Sequence, residues 1–441
     1  MVSRYAGRII FVKNSQQTLI HMVQVYKFGG SSLKNAEGIR NLRQIAGDVD
    51  QSLVLVVSAL GETTNALEEV VQASFEPTNT WRQKLDAIRE FHEIIASELL
   101  PEPDMFLDTI LRPSFDALAR KLEEPPAGSF DFLYDQVVSM GEIWSTLLVH
   151  HCLVETGLDF RFIDIREYLI TDSNYREGRV AWDRSGFLIR KGFACTGKEK
   201  YITQGFIAGT RNGHTTTLGR EGSDYTAAIL AYILDAQNVI IWKDVPGVMN
   251  ADPEDYPHAT KLPEISYQEA IELAFFGAKV IHPKTIKPLY NKKIPLWVKS
   301  YKDPSGEGTL IHEMEQSPKL LPVFVRKRNQ VLISILPRDF SFVIDEGLGR
   351  IFNQIDNHKV KVNLVQNSAV SISLCVDRFD GRVERLVSEL SMDSKVLYNT
   401  NVELITIRHY TDESIREMIF GKTILIEQKT RSTVNYVIKT G

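Results

Sequence analysis

The chain has 441 residues, 43% of them hydrophobic and 24% charged, an ordinary globular composition that sets aside wholesale disorder and fibrous repeats. Its 51 basic and 56 acidic side chains leave a net charge of -5, which gives no overall attraction to nucleic acid or to an anionic membrane. Three widely spaced cysteines, Cys152, Cys195 and Cys375, make neither a disulfide framework nor a paired zinc site and suit a reducing compartment, so the expectation is a cytoplasmic enzyme acting on small molecules.

In chain order, residues 1–21 carry Arg4, Arg8 and Lys13 with no acidic residue and no small-residue cleavage signature. They read as an N-terminal extension or an early start, with an organellar transit peptide as the lesser alternative. No run of about 18 apolar residues, the length of a membrane span, is present. From Val23 onward short β-branched runs alternate with helical patterns, with strands expected at 23–27, 52–58, 160–164, 238–243 and 295–299. Strands apolar on both faces and joined by helix-length crossovers predict an α/β fold, a three-layer sandwich about a mainly parallel sheet. Ligands belong at the carboxyl ends of its strands.

Residues 81–157 run as long amphipathic helices and form a helical subdomain within a catalytic domain spanning 22–302. Between 301 and 322 the pattern loosens around Pro304, Gly306, Gly308, Pro318 and Pro322, as at a domain boundary. Two α+β modules in tandem are expected beyond it. The first, 323–396, reads strand (331–336), helix (347–357), strand (360–366), strand (369–376), helix (382–390). The second, 397–441, is a shortened echo: strand (402–410), helix (413–420), and strands at 423–428 and 433–439. Such an order fits a catalytic unit with an appended sensor.

Several strings can carry chemistry. Lys27-Phe28-Gly29-Gly30-Ser31-Ser32 follows the first strand and precedes a helical stretch, so its glycines let backbone amides approach an anion. Lysine precedes the glycines here, unlike a P-loop. Ser58 and Thr64 put hydroxyls at the end of the second strand, where they serve equally well as helix caps. Glu142 lies in a helical pattern and reads either as a ligand or as a solvent-facing residue. Gly219-Arg220-Glu221-Gly222-Ser223-Asp224 sets a forked guanidinium beside a helix start, a means of holding a carboxylate. Trp242-Lys243-Asp244 ends another strand before a Pro-Gly turn. Gly277-Ala278-Lys279 follows a helix opened by Ser266 and Glu269 and supplies a further lysine. His150-His151 reads as packing, and Gly347 to Phe352 as an incomplete dinucleotide fingerprint.

Together these strings resemble the aspartate kinases of the amino-acid kinase family. KFGGSS, SALGETTN, SMGE, TQGFIA, GREGSDYTA, WKDVPGV and FGAKVIHP stand here in that family's order over residues 23–300, and the C-terminal modules are similar to ACT domains (ferredoxin-like). The resemblance implies transfer of the γ-phosphoryl of ATP, with Mg²⁺, to the side-chain carboxylate of L-aspartate, giving 4-phospho-L-aspartate for lysine, threonine and methionine synthesis. It implies catalytic roles for Lys27, Lys279 and Asp224, and aspartate contacts from Ser58, Thr64, Glu142, Phe206, Arg220, Ser223 and Asp224. Nucleotide contacts would come from Lys27, Gly29, Gly30, Ser31, Lys243, Asp244, Met249 and Lys279, with no metal ligand assigned to a protein side chain.

Val362, Asn363 and Ser368 fall where some relatives bind lysine as a feedback effector. Asn363 replaces a carboxylate common there, which removes a charged partner for the effector's amine, so threonine, another effector or none is left open. ACT pairing in the family implies a homodimer. The chain departs from many relatives at Glu221, where they carry glycine, and at Met249 and Glu254, where they carry an aromatic residue and an arginine. Those last departures motivate the alternative of a catalytically weak regulatory subunit that binds amino acids. The residues themselves favour catalysis, since a carboxylate acceptor is already ionised near neutral pH and needs only positioning and charge neutralisation.

Overall fold

The computed structural model describes residues 23–77, 80–124, 128–278, 281–314, 321–338, 348–378 and 381–439. The N-terminal extension and Lys279 lie outside the described residues. The first part of the chain contributes β1 (Val23–Phe28), β2 (Ser52–Val57), β3 (Phe160–Ile163), β4 (Ile170–Thr171), β5 (Lys200–Gln204) and β6 (Ile207–Thr210). It continues with β7 (Thr215–Thr217), β8 (Asn238–Lys243), β9 (Glu264–Ser266), β10 (Leu296–Ser300) and β11 (Thr309–His312).

Eight of these strands form one sheet in the order β3-β5-β2-β1-β8-β10-β11-β9. It is parallel throughout except where β11 runs against β10. The strand β2, SLVLVV, is buried at every position, as a strand covered on both faces must be. Leu53, Leu55 and Val57 point into the core shared with helices Ala36–Gly47 and Thr63–Ser74, and Val54 and Val56 into the core shared with helices Gly222–Ile233 and Pro283–Lys292. The expected three-layer sandwich is therefore present. β11 lies inside the stretch read as a turn-rich boundary; at four residues it was too short to stand out.

Residues 81–155 include helices Trp81–Leu99, Arg112–Glu123 and Phe130–Glu155, with Phe115 and Trp144 stacked 3.7 Å apart between the last two. Helix Phe130–Glu155 has the length and apolarity of a membrane span, yet 72% of its most apolar window is buried inside the fold. A helix apolar on all sides belongs in the middle of a large core, and this one contributes residues to both cores.

The rest of the chain folds as a second sheet: β12 (Val323–Pro337), β13 (Val362–Asn367), β14 (Ile372–Asp377), β15 (Ser394–Arg408), β16 (Ile424–Lys429) and β17 (Thr433–Lys439). It is antiparallel throughout, in the order β13-β14-β12-β15-β17-β16. The two modules share their two longest strands. β12 and β15 pair along their length, from Val323 opposite Arg408 to Pro337 opposite Ser394. The far stretch of this ladder carries β14, β13 and helices Leu348–Asn357 and Arg382–Asp393; the near stretch carries β17, β16 and helix Asp412–Ile419. The expected boundary at 396/397 thus falls inside β15, and each module borrows part of both long strands. The near part of β12 escaped notice because Arg326, Lys327, Arg328 and Asn329 interrupt the apolar alternation. Asn329, at φ 54, marks an irregularity in the ladder there.

Candidate active site

The site begins where β1 ends. Gly30 opens a short 3₁₀ turn, and its carbonyl accepts the Gly61 amide at 3.1 Å. A Cβ on Gly30 would meet the Gly61 carbonyl oxygen at 2.5 Å. Only glycine lets the turn after β1 touch the turn after β2. That contact brings Lys27 beside Ser58 and Thr64. Across from them, helix Gly222–Ile233 starts with Ser223 and Asp224, both buried. Lys27 Nζ lies 2.7 Å from Asp224 Oδ1, and Lys243 Nζ, at the end of β8, lies 4.0 Å from Asp224 Oδ2. Burial pushes the Asp224 carboxyl up, but the two ammonium groups outweigh it and hold the group below its usual range, so it is an anion.

Glu142 comes to the same place from helix Phe130–Glu155. It is 2% exposed, and Oε2 has no hydrogen-bond partner among the described residues. Burial drives its pKa up to about 8, against the opposing pull of the Ala59 amide and of Lys27. The free site thus holds a protonated acid that would ionise when a cation arrives. Phe206, at φ 68, is fixed by its amide, which donates to Thr226 Oγ1 at 3.0 Å. Arg220 is exposed at the rim.

A cavity of about 560 Å³ collects Lys27, Gly30, Ser58, Thr64, Glu142, Phe206, Arg220, Ser223, Asp224 and Lys243. Gly29 and Ser31 sit in the adjoining turn, outside its wall. Asp244 is exposed just beyond β8, and Met249 bridges to Lys261 in the loop that follows; neither lines the cavity. Lys279 lies outside the described residues, but the chain three residues on is tied to the site: the His282 amide donates to Glu221 Oε2 at 2.7 Å. Glu221 has φ 52, the left-handed backbone that favours glycine at this position.

Sequence reasoning missed Tyr134, Arg176, Glu177 and Thr217, which also line the cavity, and Asp135, which braces it. The Asp135 carboxylate is fully buried and accepts from the Arg176 amide at 2.9 Å, the Thr217 amide at 3.0 Å and Thr217 Oγ1 at 2.8 Å. Burial raises its pKa to about 6 in spite of those bonds. An aspartate inside the apolar run Phe132-Leu133-Tyr134-Asp135-Gln136-Val137-Val138 was the available signal, because a buried carboxylate needs partners.

Among the described residues no cluster of three or more His, Cys, Asp or Glu could cage a metal ion. The anionic Asp224, which Lys27 and Lys243 face, is a carboxylate of the kind that holds Mg²⁺, an ion commonly bound by one or two carboxylates together with substrate phosphates. Of the expected effector residues, Val362 and Asn363 line a second cavity of about 640 Å³ between helix Tyr267–Phe276 and the regulatory sheet. Ser368 is exposed, bonded to Ser371 in its own turn. Asn363 Oδ1 accepts from Lys327 Nζ at 2.8 Å, and its Nδ2 donates to Gln330 Oε1 at 2.8 Å and Asp377 Oδ1 at 2.6 Å.

Residues 22–300 match the model of the amino acid kinase family. The lysine-sensitive aspartokinase 3 of Escherichia coli is 35% identical over 360 residues, with 80% of this chain and 78% of that protein covered. A bifunctional aspartokinase/homoserine dehydrogenase of Arabidopsis thaliana is 34% identical over 298 residues; the match takes in 66% of this chain and 32% of that longer protein. The solved structure of E. coli aspartokinase III with aspartate and ADP superposes with a TM-score of 0.82 at 29% identity, covering 95% of this chain and 96% of the other. With Lys27, Lys243, Asp224 and Arg220 gathered on one cavity, this match along nearly the whole chain means that the chain belongs to the amino acid kinase family, on its aspartokinase branch.

Proposed function

We propose that the protein phosphorylates the side-chain carboxylate of L-aspartate with ATP, forming 4-phospho-L-aspartate and ADP. The observation that carries this reading is the Lys27, Asp224 and Lys243 cluster at the carboxyl ends of β1 and β8, opening onto a cavity that also holds Arg220 and the buried Glu142. In the reaction a carboxylate oxygen of aspartate bonds to the γ-phosphorus while the bond to the β,γ-bridging oxygen breaks, and ADP leaves with that electron pair. No proton need be removed, so the residues act by holding the two anions in line and offsetting their charge.

Lys27 and Lys243 suit the phosphate oxygens, with Lys279 assigned the same task. The turn of Gly29, Gly30 and Ser31 follows Lys27 directly, and its amides are assigned to the phosphate oxygens, with Asp244 and Met249 assigned to the nucleotide. Arg220 takes the α-carboxylate of the amino acid and Glu142 its ammonium group, with Ser58, Thr64 and Ser223 as hydroxyl donors and Phe206 as a wall. Asp224 is the side chain that would hold Mg²⁺, and the ion would supply further positive charge against the phosphates. The regulatory sheet presents β13 at one edge, and a homodimer through these modules follows from the family's habit of pairing them.

Asn363 already holds the Lys327 ammonium, which disfavours free lysine as the effector and leaves threonine, another effector or none. The test is purified protein with ATP, Mg²⁺ and L-aspartate, the acyl phosphate being trapped with hydroxylamine. Aspartate-dependent hydroxamate is expected, and its absence with intact protein refutes the activity in favour of a regulatory subunit.

A further inference from the structure

Arg176 lines the active-site cavity under unusual constraint. Its backbone is left-handed, at φ 68, a conformation uncommon for a side-chain-bearing residue. The fully buried Asp135 carboxylate fixes it there through the Arg176 amide. Asp135 simultaneously holds Thr217, two residues before Gly219, and a Cβ on Gly219 would lie 3.3 Å from the Arg176 carbonyl oxygen. One buried carboxylate therefore locks the Arg176 turn onto the turn that carries Arg220.

The guanidinium itself lies over the Tyr134 ring, 4.1 Å from its centroid, and lines the cavity. Among the described residues it donates to Glu68 Oε1 at 3.0 Å, with Asp131 at 3.8 Å. A guanidinium has five N–H donors in a rigid fork, so a bond to Glu68 leaves most of that fork available to the cavity. Tyr134 stands two turns before Glu142 on the same helix, so Arg176 enters from the Glu142 side of the pocket. A planar cation in this place matches a planar carboxylate next to an ammonium group, the arrangement at the α-carbon of an amino acid.

We propose that Arg176 determines substrate specificity: its guanidinium binds the α-carboxylate of the acceptor amino acid together with Arg220, and Glu68 is a competing partner that the guanidinium gives up as substrate binds. This rests on the aspartate kinase reading and deepens it. Asp135 is then a positioning residue, acting only through the turn it holds.

The experiment measures KM and kcat of Arg176→Gln, Arg176→Lys and Glu68→Gln by hydroxylamine trapping, with L-aspartate and with its α-amide as acceptors. Loss of a charge-assisted contact should raise KM for aspartate on the order of tenfold to a hundredfold in Arg176→Gln, with kcat and KM for ATP little changed. Arg176→Lys should recover part of the loss, and the preference of the native protein for aspartate over the α-amide should collapse in Arg176→Gln. Glu68→Gln should leave KM for aspartate unchanged or lower. If Glu68→Gln and Arg176→Gln weaken aspartate equally, Arg176 is a structural brace and the proposal falls. It falls too if KM for aspartate in Arg176→Gln equals that of the native protein. A native protein that turns over no aspartate at all overturns the activity itself, a result distinct from either of those.

Discussion

Lys27 and Glu142 show how burial treats two groups of opposite charge in one cavity. Lys27 is paired with Asp224 at 2.7 Å, whereas Glu142 retains a proton because its desolvation outweighs the pull of Lys27 and of the backbone amides. Replacing Lys27 by alanine, or Arg220 by alanine, should lower kcat/KM on the order of a hundredfold or more, as expected for charges acting in a site that excludes water. Near-normal aspartate-dependent ADP release from either variant would contradict the phosphate-binding and carboxylate-binding roles of these two side chains. The Glu142 prediction concerns pH. With a pKa of about 8 in the free site, the carboxyl must release its proton to pair with an ammonium group. Aspartate binding should therefore strengthen as pH rises, KM falling roughly tenfold per unit below 8 and levelling above it. Glu142→Gln should bind weakly at every pH and lose that slope; a flat KM profile in the native protein would show that Glu142 does not receive the amine.

Helix Tyr267–Phe276 connects this chemistry to the regulatory sheet. It opens with Ser266 Oγ accepting the Glu269 amide at 3.1 Å and ends at Gly277, φ 108, just before the segment that carries Lys279. On its flank the buried Arg408 guanidinium, from the end of β15, grips both Glu269 oxygens at 2.8 and 2.7 Å and reaches Glu272 at 3.1 Å. Burial raises the Glu269 carboxyl, but Arg408 and His409 outweigh that and hold it well below the carboxylate range. The contribution of this pair is thus present above pH 4.5 and lost as pH falls toward the folded value of about 2. Arg408→Ala leaves the buried Glu269 carboxylate without its guanidinium partner, with His409 still beside it, and should cost about 3 kcal/mol, read as a lower Tm. Arg408→Met combined with Glu269→Leu should recover much of that stability while weakening communication between the regulatory sheet and the site. If the double variant is as unstable as Arg408→Ala alone, the pair is not an isolated buried charge pair. A second tie joins β12 to the loop after β8: the Phe324 amide donates to the Asn250 carbonyl at 2.8 Å, the Phe324 and Tyr256 rings stack at 5.7 Å, and Arg328 pairs with Asp255.

For the whole molecule, regulation follows from which positions are already filled. Lys327 is half-buried, and that desolvation pulls its pKa down to about 8; its ammonium occupies Asn363. Millimolar lysine is expected to leave the activity unchanged, whereas Lys327→Met with Asn363→Asp, which restores an unpaired carboxylate, should create inhibition by lysine. Lysine inhibition of the native protein in the hydroxamate assay would refute this account. What the sequence revealed follows the same logic of local against distant cause. The strand at 52–57, buried at every position, and helices with clear caps and periodicity were legible because their signals lie within one element. So were Lys27, Arg220 and Asp224, whose motifs sit at strand or helix ends. Arg176 was hidden because Asp135, 41 residues away, is what fixes it, and Thr217 is 82 residues from the same carboxylate. The near part of β12 was hidden because its polar residues find partners in other segments, Arg326 with Glu403 and Arg328 with Asp255.

The two long paired strands of the regulatory part set how a signal could travel. Each has 15 residues, so the ladder reaches about 50 Å at roughly 3.3 Å per residue. Its near end bears on Asn250 and, through Arg408, on Glu269. Torque applied by a small molecule at the far end would be delivered along two continuous backbones, as through a lever arm, to the nucleotide loop and to the helix before Lys279 at once. Severing either backbone, even with every side chain kept, should disconnect the two ends.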